Sequence, residues 1–318
     1  MTTAGPDVEP ASFRHEAFLY AGDEEFLRGT AEFVRDAHEA DEPILVVVGA
    51  TKIAALRDEL GRDAESTHFA DMSEVGHNPA WIIPAWQEFL AAHSEDGAAV
   101  RGIGEPIWPG RSDAEVAECQ RHEELMNVAF TGGRPWWLLC PYDVAELEDD
   151  VIAAARRAHP FVLCDGAHHD CPDMVDLESM AAPYDGALPE PPPGAATLTF
   201  TTAEALSAVR DHVARCAEAA GMGPTETRSL VLAADEIATN SLRHGGGTGT
   251  LRTWPTSTGV VCEIRDAGTI ADPLVGRRLP PAGRAGGRGV WIANHLCDLV
   301  QIRSNARGTT VRLHVHRV

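Results

Sequence analysis

Short apolar runs and helical patterns alternate along the first 180 residues. The apolar runs predict strands at 44–48, 67–72, 100–105, 136–140 and 161–164. Helical spacing between them predicts helices at 51–60, 79–92, 112–130 and 144–158. Gly61 ends the first helix, and Ser112 with Glu115 forms a capping box that opens the third. Strand and helix in alternation favour a parallel sheet with helices on both faces.

A sheet of this kind binds ligands at the carboxyl ends of its strands. The residues at those ends are Gly49, Asp71, Glu105 and Tyr142, with Trp108 shortly after Glu105. The segment VVVGATK (46–52) weakly resembles a phosphate-binding loop. However, its glycine and lysine are too close together, and no Ser or Thr follows Lys52. A nucleotide is therefore not expected at this edge.

Residues 181–196 are rich in Pro, Gly and Ala, which is typical of a linker that is partly extended as polyproline II. This segment divides the chain into a first domain, residues 1–180, and a second domain, residues 197–318.

The second domain has a different pattern. Strands are predicted at 197–200, 250–255, 260–268, 299–304 and 309–315, the second and third as an antiparallel pair and the last two as a hairpin. Helices are predicted at 203–220, where Thr201 and Glu204 form a capping box, and at 290–297. Cys262 shares one strand face with apolar neighbours, so it is interpreted as a core residue.

The stretch LVLAADEIATNSLRHGGG (230–247) predicts a helix that the glycines end. Glu236, Asn240 and His244 recur every four residues, so they lie one above the next on one helix face. An amide oxygen is a hard ligand for Mg²⁺, and a carboxylate can accept a proton from an attacking hydroxyl. A solvated helix face has the same spacing, so the residues that follow in the chain decide the interpretation.

Three more short segments follow that helix in order. Asp266 ends a strand two residues before Gly268, where a carboxylate can accept a hydrogen bond from the exocyclic amine of adenine and the glycine lets a flat ring approach. Backbone N–H groups at a helix start attract phosphate, and three glycines stand at such a start: Gly286, Gly287 and Gly289. The hydroxyl of Thr309 or Thr310, in the last strand, could reach a base. The loop before the helix carries four arginines that could pair with phosphate: Arg277, Arg278, Arg284 and Arg288.

The order of these short segments resembles that of the GHKL ATPases: EIATN with RHG, then DAG, then GGRG, then GTT. The resemblance implies a GHKL (Bergerat) α/β sandwich that binds ATP and Mg²⁺. By position, Glu236 resembles the proton-accepting glutamate and Asn240 the Mg²⁺ ligand, with His244 just after them. Asp266 and Gly268 resemble the adenine-binding pair. Gly286, Gly287 and Gly289 resemble the phosphate-contacting glycines, and Thr309 the threonine near adenine.

Segments of the first domain resemble the MEDS sensory domain, over roughly residues 13–165: FRHEAFLYAGDEEFL, DEPILVVV, FADMSEVGHNPAWIIPAW, RGIGEPIWPGR, ECQRHEELMN and WWLLCPYD. That resemblance implies a RecA-like (Rossmann-like) parallel sheet without a phosphate loop, and a sensing role with a small-molecule ligand.

The segments DPLVGRRLP, GGRGVWIANHLCDLVQI and GTTVRLH resemble the anti-sigma factor serine kinase branch of the GHKL proteins. Together with a MEDS-like domain, the chain resembles actinobacterial anti-sigma regulatory factors of the RsbA type. This implies a sigma factor and a STAS-type antagonist as protein partners, and phosphorylation of a Ser or Thr on the antagonist in a stress response. Kinases of this branch are commonly dimers, although no dimer seam is readable in this sequence.

The sequence departs from the GHKL pattern at one position, and two alternative functions remain open. The segment from Asp266 to Ile270 lacks the second glycine of the DxGxG pattern, which bears on lid flexibility and turnover. A histidine kinase would need a phospho-accepting helix pair where the Pro-rich linker lies. A partner-binding switch, in which ATP only sets the conformation or is not used, is the second alternative.

Charge is unevenly placed along the 318 residues, whose net charge is −22. From Thr197 onward there are 14 arginines against 10 acidic residues, a balance of +4, so residues 1–196 hold the remaining −26. An acidic first domain disfavours direct binding to nucleic acid or an anionic membrane. No apolar stretch of about 20 residues and no secretion signal is visible, so a cytoplasmic protein without a membrane span is expected.

Seven cysteines without paired CxxC motifs argue against a disulfide framework. Cys119 and His122 share a helix face, Cys140 ends a strand, and Cys164, His168, His169 and Cys171 cluster in one loop. A zinc or thiol sensor is a further alternative, although the spacing matches no standard zinc module.

Overall fold

The computed structural model describes residues 13–93, 99–182, 184, 186, 188–278 and 288–317. By its internal contacts the chain divides into two compact units, Met1–Ala181 and Ala182–Val318. No helix in the described ranges combines the length and the apolar character needed to cross a membrane.

A seven-stranded sheet, in the order β3-β2-β4-β5-β1-β6-β7, forms the centre of the first unit. Its strands are β1 (Phe13–Tyr20), β2 (Ile44–Val48), β3 (His68–Asp71), β4 (Val100–Gly104), β5 (Trp136–Asp143), β6 (Phe161–Cys164) and β7 (Ala167–Asp170). All neighbours are parallel except β6 and β7, which form an antiparallel hairpin at one edge. Its helices are α1 (Gly22–Glu39), α2 (Ala50–Leu60), α3 (Met72–Val75), α4 (Ile82–Ala92), α5 (Asp113–Phe130), α6 (Asp149–Ala158) and α7 (Leu177–Ala181). The predicted parallel sheet is confirmed.

Alternate positions of the central strands face different helices, as a sheet buried on both faces requires. Ile103 and Leu139 belong to one buried cluster with Val34 of α1. The neighbouring Gly102 faces α4 instead, because a Cβ at this glycine would lie 2.7 Å from Trp86. The absence of a side chain at Gly102 therefore makes room for the indole against the sheet.

Several parts of this unit differ from the prediction or were not predicted, including the edge strand β7, which contains His168 and His169 of the predicted loop. Neither β1 nor α1 is predicted above, and β1 carries three consecutive polar residues, Arg14, His15 and Glu16, that are all buried. Burial on both faces removes the polar–apolar alternation by which a strand is recognised. The helix predicted at 144–158 begins only at Asp149. The chain first forms a turn, in which the Asp143 carboxylate accepts a hydrogen bond from the Ala145 amide.

The second unit holds a five-stranded antiparallel sheet in the order β11-β12-β10-β9-β8. Its strands are β8 (Ala196–Phe200), β9 (Gly249–Pro255), β10 (Gly259–Asp266), β11 (Leu299–Asn305) and β12 (Gly308–His316). Its helices are α8 (Ala205–Ala219), α9 (Pro224–His244) and α10 (Gly289–Leu296). Residues from one sheet face and from all three helices form a single buried cluster, in which Cys262 is fully buried. The α/β sandwich and the core position of Cys262 are both confirmed.

The capping box predicted before α8 is wrong. Residues 202–204 form a turn, the helix begins at Ala205, and no side chain caps its first turn. The long helix α9 begins at Pro224, before the predicted start at Leu230, and it ends at His244 with Gly245 as its C-cap, as the glycines predict.

Part of the predicted linker is tied to the second unit. The described residues between 182 and 195 form no helix or strand, but the Ser304 amide donates to the carbonyl of Tyr184 at 3.1 Å. The Arg312 guanidinium donates to the carbonyl of Pro189. These residues therefore lie along the sheet of the second unit.

Candidate functional site

Helix α9 carries the acid and the amide along the edge of its buried stripe. Leu230, Ala234 and Ile237 are buried in the core, whereas Glu236 and Asn240 are half-buried. Among the described residues, no side-chain hydrogen bond or ion pair engages Glu236 or Asn240. Both side chains therefore keep their capacity to bind something else.

The first residue of α10 lies directly against this pair. A Cβ at Gly289 would lie 2.8 Å from Asn240 Nδ2 and 3.0 Å from Glu236 Oε2, so only glycine lets the start of α10 approach these side chains so closely. The free N–H groups and the positive dipole end of a helix lie at its N-terminus. The structure therefore joins a carboxylate, an amide and a helix N-terminus in one place, which suits a phosphate with its metal ion.

Asp266 at the end of β10 is held by two hydrogen bonds. The Ser241 hydroxyl donates to Oδ2 at 2.6 Å, and the Gly268 amide donates to Oδ1 at 2.8 Å. Each carboxylate oxygen still has a lone pair for a further donor. Gly268 is also confined, because a Cβ there would lie 2.6 Å from the carbonyl oxygen of His244.

Thr309 lies opposite Asp266 in the β10–β12 pairing. Its hydroxyl lies 2.9 Å from the carbonyl of Gly268, to which it donates, and 3.0 Å from the Ser304 hydroxyl. Ser304 in turn accepts from the Ile270 amide at 2.8 Å. The two strand ends are thus connected by side chains around the predicted adenine position.

Ser241 and Ser304 are absent from the sequence prediction. Ser241 is fully buried on the core-facing side of α9. A hydroxyl there needs a partner, because an unpaired buried polar group is unfavourable. The position of this serine on the apolar stripe, one residue after Asn240, therefore indicates from the sequence that its hydroxyl has a polar partner. Ser304 had no comparable signal, because serine is common at strand ends.

The remaining predicted residues are placed as follows. His244 is exposed at the last position of α9, and its imidazole has no hydrogen bond or ion pair among the described residues. Arg277 is buried, whereas Arg278 and Arg288 are exposed. Gly286, Gly287 and Arg284 lie outside the described residues.

Three polar side chains near the carboxyl ends of the first unit's strands hydrogen-bond to one another. The Lys52 ammonium donates to Glu105 Oε1 and, at 2.6 Å, to the Tyr20 hydroxyl, which donates to Glu105 at 2.9 Å. Burial raises the pKa of the Glu105 carboxyl, and the Lys52 charge only partly offsets this. The protein's own ion pair therefore occupies the edge at which sheets of this kind commonly bind ligands.

Other predicted edge residues have structural roles. Asp71 Oδ1 caps α3 by accepting from the Ser73 amide at 2.8 Å. Gly49 precedes α2, and its carbonyl accepts the first helical hydrogen bond, from Ile53. The ring of Trp108 is covered by the Arg111 guanidinium at 3.8 Å. Tyr142 is buried, and its hydroxyl has no hydrogen-bond partner in the described part of the chain.

The cysteine and histidine groups predicted from spacing do not converge. Cys119 donates to the carbonyl of Pro106 at 3.3 Å, and Cys171 to that of Arg156 at 3.1 Å. His168 instead bonds Glu16 at 2.7 Å. Among the described residues, ligand atoms of three or more such side chains come together in one place, formed by His15, Glu123, Cys140 and His159. Only Cys140 of these four was predicted.

The second unit has three helices on one face of an antiparallel sheet, an acid and an amide on the central helix, and an aspartate at a strand end. These features define it as a GHKL-type α/β sandwich. Residues 200–315 match the family described as the histidine kinase-like ATPase domain, and residues 14–160 match the methanogen/methylotroph, DcmR sensory (MEDS) domain. The chain therefore consists of a MEDS domain followed by a histidine kinase-like ATPase domain. No curated protein matches the chain.

Proposed function

We propose that the second unit binds ATP with Mg²⁺ and transfers a phosphoryl group to a Ser or Thr hydroxyl of a STAS-type antagonist. In this proposal the chain also sequesters a sigma factor, and the MEDS domain regulates both actions in response to a small molecule. The observation that supports the proposal best is the close approach of Gly289, the first residue of α10, to both Glu236 and Asn240.

ATP would supply the phosphoryl group and bring Mg²⁺ as its counterion. Asn240 would place its amide oxygen on the metal, and the first N–H groups of α10 would bind phosphate oxygens. Asp266, already oriented by Ser241 and Gly268, would accept a hydrogen bond from the adenine amine. Glu236 would accept the proton of the attacking hydroxyl, which requires a carboxylate with a free lone pair in this position.

A hydroxyl acceptor on another protein is favoured over a histidine within this chain. A histidine kinase carries its acceptor on a helix pair just before the ATPase domain. The described residues between α7 and β8 contain no helix. Acid-labile phosphate on the chain itself would contradict this preference.

One observation favours the second candidate function, a switch that binds ATP without turnover. The Ile270 amide, where the DxGxG pattern would have its second glycine, is hydrogen-bonded to Ser304. That bond fixes the start of the segment leading to α10 against the sheet. Less freedom at Ile270 would slow a conformational step of the kind that limits many turnover rates.

The experiment uses the full-length protein with radiolabelled ATP, Mg²⁺ and candidate antagonists, followed by acid treatment. Acid-stable label on the antagonist, lost in Glu236→Ala but kept in a surface control such as Glu218→Ala, is the expected result. Calorimetry with ATP separates the two candidates, since binding without labelling supports the switch. Label that persists undiminished in Glu236→Ala would reject the role of this residue. Binding of a sigma factor is measured separately, with and without ATP.

A further inference from the structure

Four buried side chains from four separate elements of the first unit meet at one point. His15 lies on β1, Glu123 on α5, Cys140 on β5, and His159 directly follows α6. Their exposed fractions are 0%, 2%, 1% and 0%. His15 and Cys140 come from adjacent strands, with Cys140 paired to Ala17, so the two side chains lie on the same sheet face.

The four ligand atoms all lie within 4.8 Å of one another, and four of the six distances between them are close to those of a tetrahedral zinc site. Glu123 Oε2 lies 3.0 Å from His15 Nε2, 3.3 Å from His159 Nε2 and 3.6 Å from Cys140 Sγ. Cys140 Sγ lies 3.4 Å from His15 Nε2. Zinc bonds of about 2.0–2.3 Å to nitrogen, oxygen and sulfur give tetrahedral edges of about 3.3–3.6 Å.

The outer nitrogen of each histidine is already used as a donor. His159 Nδ1 lies 2.7 Å from the carbonyl oxygen of Ala155, which can only accept, so Nδ1 carries the hydrogen. His15 Nδ1 lies 3.2 Å from Asn127 Oδ1. The amide orientation of Asn127 is determined, because its Nδ2 donates to the carbonyl of Ala158 at 2.7 Å. His15 Nδ1 therefore carries a hydrogen as well.

With Nδ1 as the donor, Nε2 of each ring faces the Glu123 carboxylate, and a neutral ring presents a lone pair to that anion. Two lone pairs facing a buried anion are unfavourable unless a cation lies between them. His159 Nε2 makes no hydrogen bond in the described part of the chain despite its 3.3 Å approach to Glu123. Two imidazolium rings would repel each other, because the ring centroids are 4.0 Å apart.

We propose that His15, Glu123, Cys140 and His159 bind one Zn²⁺ ion inside the sensory domain. Two neutral imidazoles, one carboxylate and one thiolate neutralise the charge of the ion, so the buried site carries no net charge. Thiolate with imidazole favours zinc over the hard cations Mg²⁺ and Ca²⁺. Binding displaces the Cys140 thiol proton to solvent and forms the sulfur–zinc bond, with no change of oxidation state.

The two hydrogen bonds behind the ligands resemble the outer partners of known zinc histidines, which fix the tautomer and orient the ring. With four protein ligands and no exposed member, the site is closed, which is typical of zinc that holds a fold together. It would connect β1, β5, α5 and the end of α6. This proposal does not depend on the nucleotide chemistry of the other unit.

The test uses the untagged full-length protein. Elemental analysis after dialysis should show about one zinc per chain. Replacement of the zinc by Co²⁺ should produce tetrahedral ligand-field bands and a sulfur-to-cobalt charge-transfer band. In Cys140→Ala the charge-transfer band should disappear and the bound metal should fall by at least about tenfold. Cys119→Ala removes another buried thiol of the same domain and should leave both signals unchanged.

If Cys140→Ala does not fold, Cys140→Asp provides a second measurement. It retains an anionic ligand, so it should keep the cobalt ligand-field bands and lose only the sulfur band. Wild-type protein that holds no stoichiometric metal and gives no cobalt–sulfur band would overturn the proposal, leaving a histidine–glutamate pair that shares a proton. A sulfur band that persists in either Cys140 variant would also overturn it.

Discussion

One polar group in each unit shows the contrast between side chains that have partners within the described part of the protein and side chains that have none there. In the first unit, Lys52, Glu105 and Tyr20 satisfy one another at the carboxyl edge of the sheet. In the second unit, Glu236 and Asn240 are half-buried and make no side-chain hydrogen bond to any described residue. Groups that satisfy one another stabilise a fold, whereas groups with unused capacity beside a helix N-terminus are positioned for a ligand. Substitution should therefore affect stability in the first case and activity in the second.

The largest expected effect is that of Glu236→Ala on phosphoryl transfer. Removal of a positioned proton acceptor lowers such rates by about 10²–10⁴-fold. Because Glu236 has no hydrogen-bonding partner among the described residues, the free energy of unfolding should change by no more than about 0.5 kcal/mol. Labelling rates and urea unfolding measured on the same preparation check both parts. A large loss of stability with unchanged labelling would show that Glu236 supports the fold rather than the activity.

Lys52→Ala should give the opposite result. It leaves Glu105, which is 5% exposed at its side chain, without its counterion. Loss of one partner of a fully buried pair costs about 3–5 kcal/mol, and about 2–3 kcal/mol is expected here because the Lys52 side chain is 25% exposed. Phosphoryl transfer by the separate ATPase domain should be retained.

The loss in Lys52→Ala should depend on pH with a definite sign. Burial already raises the pKa of Glu105, and removal of the Lys52 charge raises it further. The native variant then binds a proton more tightly than the unfolded chain does. Its destabilisation is therefore largest at alkaline pH and shrinks as the pH falls through the raised pKa. Urea unfolding at about pH 8 and pH 5.5 measures this, and the double variant Lys52→Ala with Glu105→Gln should lose the pH dependence.

Gly289→Ala should weaken ATP binding by about tenfold. The added Cβ would lie 2.8 Å from Asn240 Nδ2 and 3.0 Å from Glu236 Oε2, so these side chains must move, at about 1–3 kcal/mol for an overpacked site. Gly49→Ala is the matched control, because a Cβ there meets no atom within 4 Å at the start of α2. Calorimetric titration with ATP compares the two variants, and equal affinities would show that Gly289 does not border the site.

The smallest effect is expected for Ser241→Ala. The variant removes the 2.6 Å hydrogen bond to Asp266 but none of the groups proposed to contact ATP. A hydrogen bond of this kind contributes about 1 kcal/mol, so ATP affinity should fall about fivefold. Ser229→Ala, on the same helix, serves as the control. Unchanged affinity in Ser241→Ala would show that Asp266 needs no orientation by Ser241.

Local patterns accounted for most of the fold. Strands such as Ile44–Val48 and helices such as Asp113–Phe130, with its Ser112–Glu115 capping box, follow from apolar runs and capping residues alone. The prediction failed at β1, where buried charges replace the expected alternation, and at the start of α8. There Thr201 and Glu204 have the spacing of a capping box but lie before the helix. Spacing shows that a cap is compatible with the sequence, not that the backbone adopts it.

The two polar sites differ most in what the sequence alone could determine. Glu236 and Asn240 are four residues apart on one helix, so helical periodicity places them together before any tertiary contact forms. The four candidate zinc ligands are up to 144 residues apart, the separation between His15 and His159, and come from two strands, a helix and a helix end. The sequence determined the elements and the local spacing of residues within them. Only the tertiary structure decided which elements lie side by side, because strand order and helix packing depend on burial across the whole unit.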